Sequence, residues 1–226
     1  MDKENFQIIR YDSAQYDFAK VVRDLFRTHL YPEAEDLSML HDFLRSGRAP
    51  ASYGIFDERT DQSSIFHKVF YEHMEDAFLP LYREFIKVFM RPQFSEALVY
   101  QAVPTFRVHL PDNVAVGAFH RDRDYHHQPT EMNYWVPLTA AFGTNTLWIE
   151  SEEGKKDFRP HELSYGEILV FPGVSLEHGN KVNTTGRTRV GFDFRLVPHS
   201  RFIPSDQATL TAEKPMTIGG YFALCP

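Results

Sequence analysis

The sequence is short of several things, and each shortage excludes something. It has one cysteine, Cys225, in 226 residues. That rules out an internal disulfide framework and any cysteine-rich zinc site, so a bound metal would draw its ligands from His, Asp and Glu. It is short of positive charge, with 24 Lys and Arg against 31 Asp and Glu, a net charge of −7. A generally basic nucleic-acid binder is excluded, and no nucleic-acid partner is expected. No apolar run approaches the length needed to cross a bilayer, so no membrane partner is expected either. Residues 1–5 are polar and carry acids, without the basic and then apolar pattern of a signal peptide. With a single thiol, the expected compartment is the cytoplasm.

Aromatic residues are plentiful at 15%, carried by 20 Phe and 11 Tyr, and there are 11 histidines. Periodicity divides the chain. Up to residue 96 apolar residues recur at helical spacing: Tyr16, Ala19, Val22, Phe26 and Leu30 after a capping Ser13; Leu37, Leu40, Phe43 and Leu44 after Asp36, with Gly47 as a stop; and Ile65 to Ala77 after Asp61. Pro80 is expected to kink or break that helix, and Leu81, Phe85, Val88 and Phe89 form a further set. From residue 97 the period becomes that of strands, expected at 97–103, 105–110, 114–120, 131–137, 146–150, 167–171 and 188–197. Helices followed by a block of short strands read as an α+β fold, with a sandwich or barrel as its β part. The expectation is one domain: a helical support region (1–96) on one face of a β core (97–200), then a C-terminal segment (201–226) without a clear place.

Three elements carry chemistry. The first is His120-Arg121-Asp122. Chance alone supplies about 0.7 His-x-Asp pair in this composition, so its setting has to raise its weight. In an extended segment His120 and Asp122 point the same way, as two ligands of one ion must; Asp124 has the same parity and competes. A self-paired surface cluster of Arg121, Asp122, Arg123 and Asp124 is the plainer alternative. The second is Leu176-Glu177-His178-Gly179, a Gly-flanked turn after a strand, where His178 is either a turn residue or a third ligand. Two His and one carboxylate make the facial triad of non-haem Fe(II) oxygenases. The third is the strand 188–197. Val190, Phe192, Phe194 and Leu196 take one face, and Arg189, Gly191, Asp193 and Arg195 the other. An arginine there suits a carboxylate. Its alternatives are an ion pair with Asp193 or Asp124, or solvent.

Taken together, the order His-x-Asp, a gap of 58 residues to His178, and 11 more to Arg189 resembles the Fe(II)/2-oxoglutarate-dependent oxygenases. The wording of residues 120–126, 133–139, 145–151, 165–167 and 188–195 is similar to the small streptomycin-biosynthesis-type branch, a relative of the phytanoyl-CoA hydroxylase group. The resemblance covers roughly residues 98–200. It implies a double-stranded β-helix (jelly roll, cupin-like) core with Fe(II) at its mouth, and 2-oxoglutarate and O2 as cosubstrates. It implies His120, Asp122 and His178 as iron ligands and Arg189 as the partner of the distal carboxylate. It also makes Asn133, with Thr105 and Arg107, candidate cosubstrate contacts. Where the family often has a hydroxyl residue two positions after the arginine, this chain has Gly191. Halogenating relatives carry Gly or Ala at the position of Asp122, so the resemblance implies hydroxylation or another oxidation of a small polar metabolite, such as a sugar or aminosugar.

Candidate substrate residues near the mouth are Tyr125, His126, His127, Trp148 and Glu150, with Trp135 on a neighbouring strand. Core packing or simple surface exposure is the alternative for each. A cupin-type non-redox metal enzyme, such as an epimerase, and a non-catalytic binding protein on the same fold are the competing functions. The sequence leaves the oligomeric state open.

Overall fold

The computed structural model describes residues 6–45, 64–114, 119–208 and 214–226. The described elements in chain order are β1 (Gln7–Arg10), α1 (Phe18–His29), α2 (Leu40–Arg45), α3 (Ile65–His73), α4 (Phe78–Glu84), β2 (Leu98–Gln101) and β3 (Thr105–His109). They continue with β4 (Met132–Pro137), β5 (Leu147–Ile149), β6 (Arg159–His161), β7 (Glu167–Phe171), β8 (His178–Gly179), β9 (Arg189–Pro198), β10 (Ser205–Ala208), β11 (Pro215–Met216) and β12 (Phe222–Cys225).

Helix α1 starts later than its pattern implies. Asp17, not Ser13, caps it by accepting the Lys20 N–H, and Tyr165 donates its hydroxyl to the same carboxylate at 2.8 Å. Phe18, Val22, Leu25 and Phe26 then form its buried stripe. Asp36 accepts the Ser38 N–H as expected, at the head of a short 3-10 turn leading into α2. The expected stop at Gly47 and start at Asp61 lie outside the described residues. Pro80 breaks nothing. It sits in the first turn of α4, where its missing N–H is no loss, and the interruption falls earlier, around residues 74–77. A wide π turn, Phe85–Met90, follows α4.

The strands form antiparallel sheets. The larger runs β1-β7-β4-β9-β2-β12, with β3 also paired to β9; a smaller one runs β6-β5-β8. Strand β9 organises the larger sheet. Along one edge it pairs with β2 and then β3, which Pro104 separates, and along the other with β4. Its alternation is the one read from the sequence. Phe192 and Phe194 face the helices, with Phe18, Phe78 and Tyr82 ring centroids 5.0, 5.3 and 5.5 Å away. With Phe26, Phe66, Phe70, Phe85 and Phe106 they make one buried cluster, which accounts for much of the phenylalanine surplus.

Sequence reasoning missed β1, β6, β8 and the C-terminal strands. Residues 222–225 add β12 to the free edge of β2, Phe222 opposite Gln101 and Cys225 opposite Leu98. The C-terminal segment is therefore part of the larger sheet. Among the described residues, no helix is long and apolar enough to cross a membrane.

Candidate metal centre

The opposite face of β9 looks into a cavity between the two sheets. Arg107 from β3, Asn133 and Trp135 from β4, and Arg189, Asp193 and Arg195 from β9 line it on one side. His120, Leu147 and His178 close it on the other. His120 and His178 form an isolated antiparallel bridge, each donating its backbone N–H to the other's carbonyl at 3.0 and 2.9 Å. Asp122 follows as the first residue of a 3-10 turn, its N–H bonded to the Gly173 carbonyl at 2.9 Å.

The three predicted ligands converge. Asp122 Oδ1 lies 3.6 Å from Nε2 of both His120 and His178, and one atom from each residue falls within 4.8 Å of the others. Donors about 2.1 Å from one ion are themselves about 3.0–3.6 Å apart at angles of 90–120°, so the three can share an ion. His178 donates Nδ1–H to the Leu176 carbonyl at 2.9 Å, which leaves the Nε2 lone pair for a metal. Burial pushes its imidazole down to about 4, so it is neutral at pH 7 and in its ligating form. Burial alone would push the Asp122 carboxyl up. The Arg195 guanidinium, the His120 hydrogen bond and His178 outweigh that and hold it well below the usual carboxylate range. Asp124 is exposed and accepts the Arg121 N–H at 3.4 Å, outside the cluster.

Arg121, between the two ligands, turns the other way and locks their loops together. Its Nε donates to the Ser175 carbonyl at 3.1 Å, and Nη2 to Glu150 and Glu177 at 3.2 and 3.3 Å. Glu150, expected to touch substrate, is fully buried and also accepts the N–H groups of Glu177 and Lys156. All its capacity goes into holding these loops.

Other expectations also change. Thr105 lies outside this cavity. It accepts from Gln101 Nε2 at 3.1 Å and lines a separate cavity of about 270 Å³ beside Tyr71, Lys214 and Tyr221. Trp148 points away, with Lys181 Nζ 3.3 Å above its ring; Leu147 takes the cavity-facing place. His127 is spent on Glu131 at 2.6 Å, and His126 is exposed in a left-handed turn conformation. Tyr125 is exposed, its ring edge-on to His120 at 5.1 Å. Asn133 Nδ2 donates to Asp122 Oδ2 at 2.7 Å, and its buried Oδ1 has no partner among the described residues. An amide facing a carboxylate must present nitrogen, and with one N–H on Asp122 the other N–H of Asn133 is left beside its Oδ1 acceptor. Its packing requires Gly173, where a Cβ would lie 2.5 Å from the Asn133 amide nitrogen.

Arg189 lies at the far end of the cavity and is 1% exposed. Nε donates to the Asn145 carbonyl at 3.1 Å, the guanidinium lies 5.4 Å from the centre of the Trp135 ring, and Nη1 has no partner among the described residues. Burial, with Arg107 nearby, pushes its pKa down to about 9. Asp193 is already shared between Arg107 Nε at 2.9 Å and Arg195 Nη1 at 3.1 Å. Gly191 cannot carry the family's hydroxyl, because a Cβ there would meet the Val136 carbonyl oxygen at 2.8 Å. Arg107 sits directly opposite it on β3. The cavity measures about 40 Å³, room for a few waters.

A fold of this kind has a solved counterpart. The chain is similar in structure to the non-heme monooxygenase ThoJ in its apo form. The TM-score is 0.50 and the identity 14%, with 92% of this chain and 79% of that chain covered. It also overlays on the non-heme alpha ketoglutarate dependent carbocyclase SnoK from nogalamycin biosynthesis, at a TM-score of 0.48 and 9% identity, over 99% of this chain and 93% of that one. The first likeness places the chain in the fold of a non-heme oxygenase. In sequence it is 39% identical over 214 residues to the streptomycin biosynthesis protein StrG of Streptomyces griseus, covering 95% of this chain and 96% of that protein. The chain belongs to the StrG family. No family model matches it.

Proposed function

We propose that the protein is an Fe(II)/2-oxoglutarate-dependent dioxygenase, on a jelly-roll core related to the phytanoyl-CoA hydroxylases, that oxidises a C–H bond of a small polar metabolite. The observation that carries this reading is the pairing within one cavity of a His–Asp–His cluster and a buried arginine with an unpartnered Nη1. When bound, Fe(II) and 2-oxoglutarate supply a two-electron oxidation by O2, with succinate and CO2 as coproducts.

The chain's own residues prepare for that chemistry. His120, Asp122 and His178 would hold the ion with three positions left open. Buried Arg189 has a hydrogen-bonding nitrogen to spare and lacks a full counter-charge of its own, which suits a carboxylate. Arg107, opposite Gly191, adds a second guanidinium to that wall. Three arginines stand against Asp193 and the ligand Asp122, so with a divalent cation in place the site favours a dianion. Trp135, Leu147 and Phe171 exclude water around it. Asp122 fills a ligand position that halogenation would leave to chloride, so hydroxylation or a related oxidation is the expected outcome. The name of the relative suggests an aminosugar or cyclitol as substrate. No feature of the cavity favours a non-redox metal enzyme, which would have no use for Arg189.

The test is anaerobic addition of Fe(II) and 2-oxoglutarate to the purified protein. The expected result is a metal-to-ligand charge-transfer band that Asp122→Ala abolishes. Arg189→Ala should weaken 2-oxoglutarate binding and leave Fe(II) binding intact. Absence of the band in the unmodified protein overturns the reading.

A further inference from the structure

The oxygen of Asp122 that faces away from the histidines is fully engaged. Arg195 donates to Asp122 Oδ2 through Nε at 3.1 Å and Nη2 at 2.8 Å, and Asn133 Nδ2 adds a third bond at 2.7 Å. Arg195 is itself held. Its Nη1 reaches Gln101 Oε1 and Asp193 Oδ2 at 3.1 Å each, and the Tyr221 hydroxyl lies 3.4 Å away. Those braces come from β2, β9 and the C-terminal segment, and Arg195 is only 5% exposed. A guanidinium fixed on so many sides has one position to offer its carboxylate.

We propose that Arg195 is a positioning residue that, with Asn133, confines Asp122 to binding the metal through Oδ1 alone. This rests on the metal reading above and adds a mechanism to it. A carboxylate with both oxygens free can chelate an ion and take two of its positions. With three N–H donors on Oδ2, Asp122 has only Oδ1 to give. The triad then contributes three ligand atoms and not four, which sets how many positions remain for exogenous ligands. Oδ1 lies 3.6 Å from each histidine Nε2, so the three donors converge on one point. Partners of this kind, behind the ligands themselves, typically govern metal affinity by 10- to 100-fold.

The experiment is a titration of the metal-free protein with Co(II), following affinity by calorimetry and coordination by the visible d–d spectrum, with no turnover involved. Arg195→Gln should bind Co(II) about 10- to 100-fold more weakly and change the intensity of the band as the carboxylate reorients. Arg195→Lys keeps the charge without the fork and should fall between Arg195→Gln and the unmodified protein. Asn133→Ala, which removes the third donor, should shift the spectrum in the same direction by less. It carries the test together with Arg195→Lys if Arg195→Gln does not fold. Asp193→Asn loosens the brace and leaves the contacts to Asp122, so it should lower thermal stability while keeping the spectrum. Folded Arg195 variants with unmodified Co(II) affinity and spectrum overturn this proposal and leave the metal reading standing. A lack of Co(II) binding by the unmodified protein overturns both.

Discussion

The two faces of β9 are built from opposite materials. Toward the helices, Val190, Phe192, Phe194 and Leu196 are fully or almost fully buried against other apolar side chains. Toward the cavity, Arg189, Asp193 and Arg195 are equally well buried, and they are charged. Burying an aromatic ring removes apolar surface from water and stabilises the fold. Burying a guanidinium costs stability unless its partners repay it. Arg195 has two carboxylates to repay it, while Arg189 has a carbonyl bond and an unpartnered Nη1. One strand therefore gathers stability on one side and spends it on the other, and the least compensated charge sits where the cosubstrate is expected.

The largest expected effect is on the helix side. Phe192→Ala removes a fully buried ring at the meeting point of α1, α4 and the sheet, and should cost about 3–5 kcal/mol in denaturant unfolding. A loss below about 1 kcal/mol would show that the two faces contribute alike.

Acid should act on both sides at once. His67 packs edge-on against Phe106 on the helix side, and His109 lies on the cavity side beside Arg189. Burial, with Arg107 for His67 and Arg189 for His109, pushes both down to about 3. Below the ordinary histidine pKa the unfolded chain takes up these protons and the folded chain does not, so stability present at neutral pH is lost as pH falls toward 3. Each contributes about 1.4 kcal/mol per pH unit once well below pH 6.5. His161 and His178, which burial pushes down to about 4, add to the slope; unfolding measured between pH 7 and 5 should show it, and His67→Gln should flatten it by about a quarter. An unchanged slope in that variant would mean that His67 is charged in the folded state.

The smallest effect has the opposite sign. Arg189→Met replaces an incompletely compensated buried charge with an apolar chain of similar length. It should raise the stability of the ligand-free protein by about 1 kcal/mol while 2-oxoglutarate binding is lost. A destabilised variant would show that the Asn145 carbonyl and Asp193 already repay the charge.

The residues legible in sequence are those whose relations are local. His120 and Asp122 share parity within one segment, and β9 shows its two faces in a run of ten residues. Tertiary relations were not legible. Arg195 was visible as a face-mate of Arg189, but its contact with Asp122 depends on β4 lying beside β9 and carrying the loop after His120 across the sheet. Glu150 reads as a polar residue at a strand end, and only the approach of Arg121 and the 175–177 loop turns it into an internal anchor. Pro80 reads as a breaker in sequence because its effect depends on which turn of a helix it occupies. The segment after residue 201 has weak periodicity, and β12 exists because β2 offers it an edge.

Strand β9 also acts as a ruler. Arg189 and Arg195 are six residues apart, about 20 Å along an extended chain, with side chains reaching toward the cavity from either end. Covalent geometry therefore fixes the gap between the group on the metal ligand and the group at the far end. Loss of a single residue between them would reverse the phase of one end, sending an arginine into the aromatic layer. Loss of two would keep the phase and shorten the gap by about 7 Å. The length of ligand that can bridge the two ends is thus written in the residue count of one strand.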